Sequence, residues 1–160
     1  MSNPLLIVDN LQVNFKTASG LLKAVDGVSF TLEAGEILGL VGESGCGKSV
    51  TALSLLRLIP SPPGMISGGR VLWHNRDLLR LPLAELIRIR GGEIGMIFQD
   101  PLTSFDPVQT VGAQIAEALM VHTELTEKAV YERVIAGLQR VGLPDPKRQY
   151  HAYPHELSGG

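Results

Sequence analysis

Eight consecutive residues, Gly42-Glu43-Ser44-Gly45-Cys46-Gly47-Lys48-Ser49, combine the residue types and the spacing that hold phosphate. They fit G-x-x-x-x-G-K-[ST] at every fixed position. Glycines at 42, 45 and 47 admit backbone conformations that a Cβ resists, so successive N–H groups can turn toward phosphate oxygens. A helix opening at Lys48 or Ser49 brings its positive dipole end to the same spot. Lys48 then reaches the β- and γ-phosphates as a point charge, and the Ser49 hydroxyl holds Mg²⁺. Glu43, Ser44, Cys46 and Val50 complete the expected nucleotide-binding set. The plainer reading is an ordinary glycine-rich turn between a strand and a helix.

The flanks favour phosphate. Ile37-Leu38-Gly39-Leu40-Val41 is a short continuous apolar run, as expected of a strand buried on both faces. Beyond Ser49, Val50-Thr51-Ala52-Leu53-Ser54-Leu55-Leu56-Arg57-Leu58-Ile59 reads as a buried helix stopped by Pro60. Strand, glycine loop and helix is the context the motif requires.

Two alternating runs precede this core. In the first, Leu11, Val13 and Phe15 face one way; the second covers residues 28–33 and ends at the Ala34-Gly35 turn. Half-exposed strands beside a buried one predict an antiparallel flap next to a parallel core. Phe15 is either the inward residue of its strand or an aromatic that stacks on a purine, and periodicity alone favours the first. Ser61-Pro62-Pro63-Gly64 breaks the chain before another strand at Gly69-Arg70-Val71-Leu72-Trp73. A short helix runs from Pro82 through Ile89, closed by Gly91-Gly92. Ile94-Gly95-Met96-Ile97-Phe98 reads as a further apolar strand, with Gln99 at its tip, suited to a ligand contact or to a plain turn.

From about Thr110 the pattern turns helical. Val111, Ile115 and Leu119 form one stripe; Thr126 caps a second helix carrying Val130, Val134, Leu138 and Val141, ended by Gly142 and Pro144. The expected division is a flap and phosphate-loop core over residues 1–100 and a helical subdomain over 101–160.

Composition bounds the rest. The 160 residues are 44% hydrophobic and 19% charged, which suits a core-forming globular domain. Fourteen basic against sixteen acidic residues offer no general basic surface for nucleic acid. No apolar run approaches a membrane span, and no signal-type segment opens the chain, so the expected location is the cytosol. The single cysteine, Cys46, lies in the glycine loop and reads as a small loop residue, with a redox role as the lesser alternative. His74, His122, His151 and His155 lack paired metal spacing, so no zinc site is expected.

Leu157-Ser158-Gly159-Gly160 at the end of the chain resembles the signature of ATP-binding cassette (ABC) ATPases, whose motif continues with a glutamine after the last glycine. The resemblance covers the whole chain and implies an α/β cassette of the P-loop type. It puts Phe15 at the family's adenine-stacking aromatic, Gln99 at its glutamine loop, in touch with Mg²⁺ and the attacking water, and residues 110–153 in its helical subdomain. Residues 41–53, the string Phe98-Gln99-Asp100-Pro101-Leu102-Thr103-Ser104-Phe105-Asp106-Pro107 and Tyr153-Pro154-His155-Glu156 resemble the ATPases of dipeptide and oligopeptide importers, a branch that includes nickel and glutathione importers. Val50 agrees with that branch, where many cassettes carry threonine.

What the resemblance implies is an ATPase whose two subunits sandwich ATP and Mg²⁺ head to tail. Lys48 and Ser49 of one would face Ser158, Gly159 and Gly160 of the other. Loop 101–107 would meet two transmembrane permease subunits at the cytoplasmic face of the membrane, served indirectly by an extracytoplasmic solute-binding protein. The family's second acidic strand, catalytic glutamate and switch histidine follow the signature, so the expectation is a fragment inactive by itself. Three rivals remain. A P-loop kinase would have no use for Leu157-Ser158-Gly159-Gly160. A cassette acting on nucleic acid sits poorly with the charge balance. A non-catalytic nucleotide-binding fragment fits the chain as it stands.

Overall fold

A computed structural model describes residues 4–99 and 104–157. Two compact units divide the chain, Met1–Ile87 and Arg88–Gly160.

The first unit is built on a four-stranded antiparallel sheet. β1 (Leu6–Thr17) and β2 (Gly20–Leu32) form a long hairpin, β3 (Gly64–Trp73) pairs with the other side of β1, and β4 (Arg76–Asp77) closes the edge. The expected flap is therefore present, with longer strands than the alternation indicated. Leu11, Val13 and Val71 are fully buried and Val25 and Val8 nearly so, which makes one face of the sheet the core. α1 (Lys48–Leu55) follows the glycine loop and buries Thr51 and Ser54.

α1 stops a turn before the expected end at Ile59. Arg57 takes a left-handed backbone at φ 53°. Its N–H donates to the Ser54 carbonyl at 3.0 Å, and the Leu58 N–H donates to the Leu53 carbonyl at 2.9 Å. This is the bonding of a Schellman terminus, in which glycine is the usual left-handed residue. The Arg57 guanidinium donates to the Leu81 carbonyl at 2.8 Å, tying the end of α1 to the segment before α2 (Leu83–Ile89).

Two expectations are corrected here. Residues 37–41 and 94–98 form no strand, neither is buried, and apart from one parallel bridge from Arg90 to Ile94 neither joins a ladder among the described residues. Ile37 is 97% exposed, Val41 89% and Ile97 95%. A strand apolar on both faces is buried only by neighbours on each side, and no described backbone group pairs with residues 37–41.

The second unit is helical. α3 (Val111–His122) and α4 (Glu127–Arg140) start at Thr110 and Thr126, whose hydroxyls accept from the N–H groups of Ala113 and Ala129. Val111, Ala116, Val130, Val134 and Leu138 form its core, with Ile115, Leu119 and Tyr150 packed against them. Val141 departs from the expected stripe: it caps α4 and is 74% exposed, because the helix ends before the stripe returns to the core. An unforeseen short helix, α5 (Pro146–His151), opens on Asp145 as cap with Pro146 in the first turn, a legible signal.

Candidate functional site

The glycine loop owes its shape to two close approaches. Gly47, the residue before α1, has φ 93° and ψ 4°; a Cβ there would strike the Ala24 carbonyl of β2 and stand 3.6 Å from Val25 Cγ2. The end of the loop is therefore seated on the sheet face that carries Val25, and only glycine fits both backbone and space. At Gly42 a Cβ would stand 2.6 Å from the sulfur of Cys46. The exposed Cys46 thus packs its side chain inside the loop, beyond the backbone role expected of it.

Lys48 closes the curl. Its Nζ donates to the carbonyls of Gly42 at 2.7 Å and Glu43 at 2.6 Å, and lies 3.5 Å from Cys46 Sγ. Thr51 N–H donates to the Gly47 carbonyl at 2.8 Å and completes the first helical turn. Among the described residues, the N–H groups of Gly45, Gly47, Lys48, Ser49 and Val50 have no acceptor. An ammonium beside unpaired donors at a helix start suits a multiply charged oxyanion. No group of three His, Cys, Asp or Glu side chains gathers among the described residues. Magnesium, which takes few protein oxygens and shares substrate phosphates, matches the exposed Ser49 hydroxyl.

Phe15 lies on the same face of the sheet. Val25 pairs with Val13, and Phe15 stands two residues further along β1, about 7 Å away along the strand. It is half-buried, with Leu22 of β2 opposite on one side and Gly64 of β3 on the other. Phe15 and the phosphate loop thus belong to one unit. Gln99 belongs to the second unit and is exposed at the end of the 94–98 run. Ser158, Gly159 and Gly160, with residues 100–103 of the 98–107 string, lie outside the described residues.

One device escaped the sequence. The Gln114 side chain of α3 accepts from Asp106 N–H at 2.9 Å and donates to the Asp106 carbonyl at 2.9 Å and the Gln109 carbonyl at 3.1 Å. The Asp106 carboxylate accepts from Val108 N–H at 3.0 Å and Gln109 Nε2 at 3.0 Å. Those two donors, the backbone N–H first, hold its pKa below the ordinary value. A glutamine that pairs with a loop eight positions back has no local pattern to announce it.

A glycine loop seated on a sheet, closing on a lysine at a helix start, defines the class of P-loop nucleotide-binding domains. The family model described as ABC transporter matches residues 25–160, and the chain belongs to that family. It is 48% identical over 155 residues to the dipeptide transport ATP-binding protein DppD of Bacillus subtilis, covering 97% of this chain and 46% of that one. With the oligopeptide transport ATP-binding protein OppD of the same organism it shares 46% identity over 156 residues, covering 98% and 44%. The chain therefore spans about half the length of these relatives. Its fold matches a bacterial ABC transporter cassette solved as a dimer, with TM-score 0.79 at 24% identity over 96% of this chain and 63% of that one. The match to cbiO1 of Clostridium perfringens has TM-score 0.65 at 25% identity, over 98% and 57%. The chain has the fold of an ABC-type nucleotide-binding portion, flap and helical unit included.

Proposed function

We propose that this chain is the nucleotide-binding part of an ABC importer ATPase that takes up di- or oligopeptides. The observation that carries the reading is the Lys48 ammonium held between the Gly42 and Glu43 carbonyls at the head of α1. The names of DppD and OppD support peptides as the cargo class over nickel or another small solute. Gly42, Glu43, Ser44, Gly45, Cys46, Gly47 and Val50 supply the backbone cradle for ATP phosphates, Lys48 neutralises their charge, and Phe15 stacks on the adenine. Ser49 and Gln99 would hold Mg²⁺. When bound, that ion offsets negative charge on the phosphate oxygens.

Positioning and charge stabilisation carry most of phosphoryl transfer to water, so these residues act chiefly by orientation. A second cassette subunit closes head to tail, its Ser158, Gly159 and Gly160 facing Lys48 and Ser49. A similar cassette was solved as a dimer, which supports pairing with a second subunit. Loop 101–107 docks on two permease subunits at the cytoplasmic face of the membrane, with a solute-binding protein on the far side. No helix among the described residues is long and apolar enough to cross a membrane itself.

Calorimetric titration with MgATP tests the nucleotide site. Lys48→Ala removes a charge-assisted contact and should weaken binding about 10- to 100-fold; equal affinities would refute the assignment. The cargo is tested by uptake of labelled dipeptides in cells whose only copy carries Lys48→Ala, where undiminished uptake would exclude peptide import by this protein.

A further inference from the structure

Gly64 and Leu22 lie outside the phosphate loop, yet both flank Phe15 directly. The register aligns Leu22, Phe15 and Gly64 in one row across β2, β1 and β3. Directly opposed residues of antiparallel strands share a face, so the row lies on the face where Gly47 seats the phosphate loop. Its two ends differ. Leu22 is 57% exposed, an apolar surface with no core to explain it. Gly64 is buried, and its backbone is not in the left-handed region that would by itself require glycine. What requires glycine there is space: a Cβ would strike the Cγ2 methyl of Ile59 and stand 3.0 Å from both Phe15 Cε1 and the Pro60 carbonyl oxygen.

We infer that Gly64 and Leu22 are positioning residues for the nucleobase, with the missing side chain at 64 setting where the Phe15 ring lies and Leu22 extending its apolar surface. This rests on the proposal that Phe15 stacks on the base. The physical basis is geometric. A stacking ring must lie at a fixed height and tilt relative to the phosphate anchor, and Leu22 and Gly64 border Phe15 on its two sides. Ile59 occupies the place of a side chain at 64, so the ring edge abuts backbone on that side. An alanine at 64 must displace the Cγ2 methyl of Ile59, whose Cβ branching restricts its rotamers, and press on the ring and the Pro60 carbonyl. Leu22 guards the other flank, where an alanine would open the ring to water without disturbing the core. Neither residue belongs to the phosphate loop, so the effect expected of each is on the base rather than on the phosphates.

The test separates base from phosphate by titrating this chain with MgATP and, in parallel, with magnesium tripolyphosphate, which has no base. Base–aromatic stacking lost by truncation weakens binding by roughly 5- to 150-fold, and Phe15→Ala should fall in that range for MgATP. Gly64→Ala should weaken MgATP at least about fivefold and Leu22→Ala about two- to threefold, a part of that stacking, both leaving tripolyphosphate affinity within about twofold. If Phe15→Ala binds MgATP as tightly as the parent chain, the stacking proposal falls and this inference with it. If Phe15→Ala is weakened but Gly64→Ala and Leu22→Ala are not, stacking stands and the inference is overturned. Equal losses for both titrants in Gly64→Ala would mark general damage to the unit and overturn its positioning role. Leu22→Ala, on the exposed side, then decides whether the row acts on the base, without risk to folding.

Discussion

Replacing the glycines of the phosphate loop and its approach one at a time should separate backbone conformation from space. Gly39 has no neighbour within 4 Å of an added Cβ and no positive φ; Gly45 has equal room but φ 81°; Gly47 has φ 93° and the Ala24 carbonyl in the way. Gly39→Ala should therefore change stability by no more than about 0.5–1 kcal/mol, and in the favourable direction. Gly45→Ala takes on the left-handed penalty alone, about 1–2 kcal/mol. Gly47→Ala adds overpacking against backbone, another 1–3 kcal/mol or so, for a total near 2–5 kcal/mol. The chain contains one tryptophan, Trp73 at the end of β3, so its fluorescence reports on the unit that holds the loop. Urea titrations followed at that signal give the three differences directly. Gly47→Ala should also lose MgATP binding, since the loop has to lift off β2. If Gly47→Ala proves no more destabilising than Gly45→Ala, the close seating of the loop on β2 is wrong.

Exposed apolar runs should dominate the behaviour of the isolated chain: it should aggregate and bind a hydrophobic dye, and Ile97→Lys should reduce both by light scattering and dye fluorescence. Val134→Ala empties part of the helical core and should cost about 2 kcal/mol or more, whereas Val141→Ala, at the exposed cap, should stay within about 0.5 kcal/mol in chemical denaturation. The lowered pKa of Asp106 means that its contribution is fully present above the ordinary carboxylate range and is lost as pH falls through the depressed value. Protection of the Val108 amide from hydrogen exchange should accordingly fall on acidification, and Asp106→Asn should abolish that pH dependence.

Much of this protein follows from local rules that the chain carries in its order of residues. The glycine loop needs only glycines, lysine and a helix start, all adjacent, and Lys48 indeed closes on Gly42 and Glu43. Thr110 and Thr126 cap their helices because a hydroxyl beside a helix start finds a free N–H three residues on. The alternation of Leu11 and Val13 marks the buried face of β1, since strand side chains alternate whatever lies across from them.

Tertiary structure decided what depends on partners distant in sequence. The composition of residues 37–41 and 94–98 predicts burial, but burial belongs to a strand and its neighbours together, and apart from the bridge and turn bonds at Ile94 no described residue pairs its backbone with either run. Arg57 in a left-handed turn, Gln114 clamping the Asp106 backbone and Val141 turned outward each depend on where a chain segment ends or what it meets. The same holds for Gly64. Nothing in Ser61-Pro62-Pro63-Gly64 distinguishes its glycine from that of any turn; only the pairing of β3 with β1 brings it against Phe15, where the space of one methyl group decides how a ring can lie.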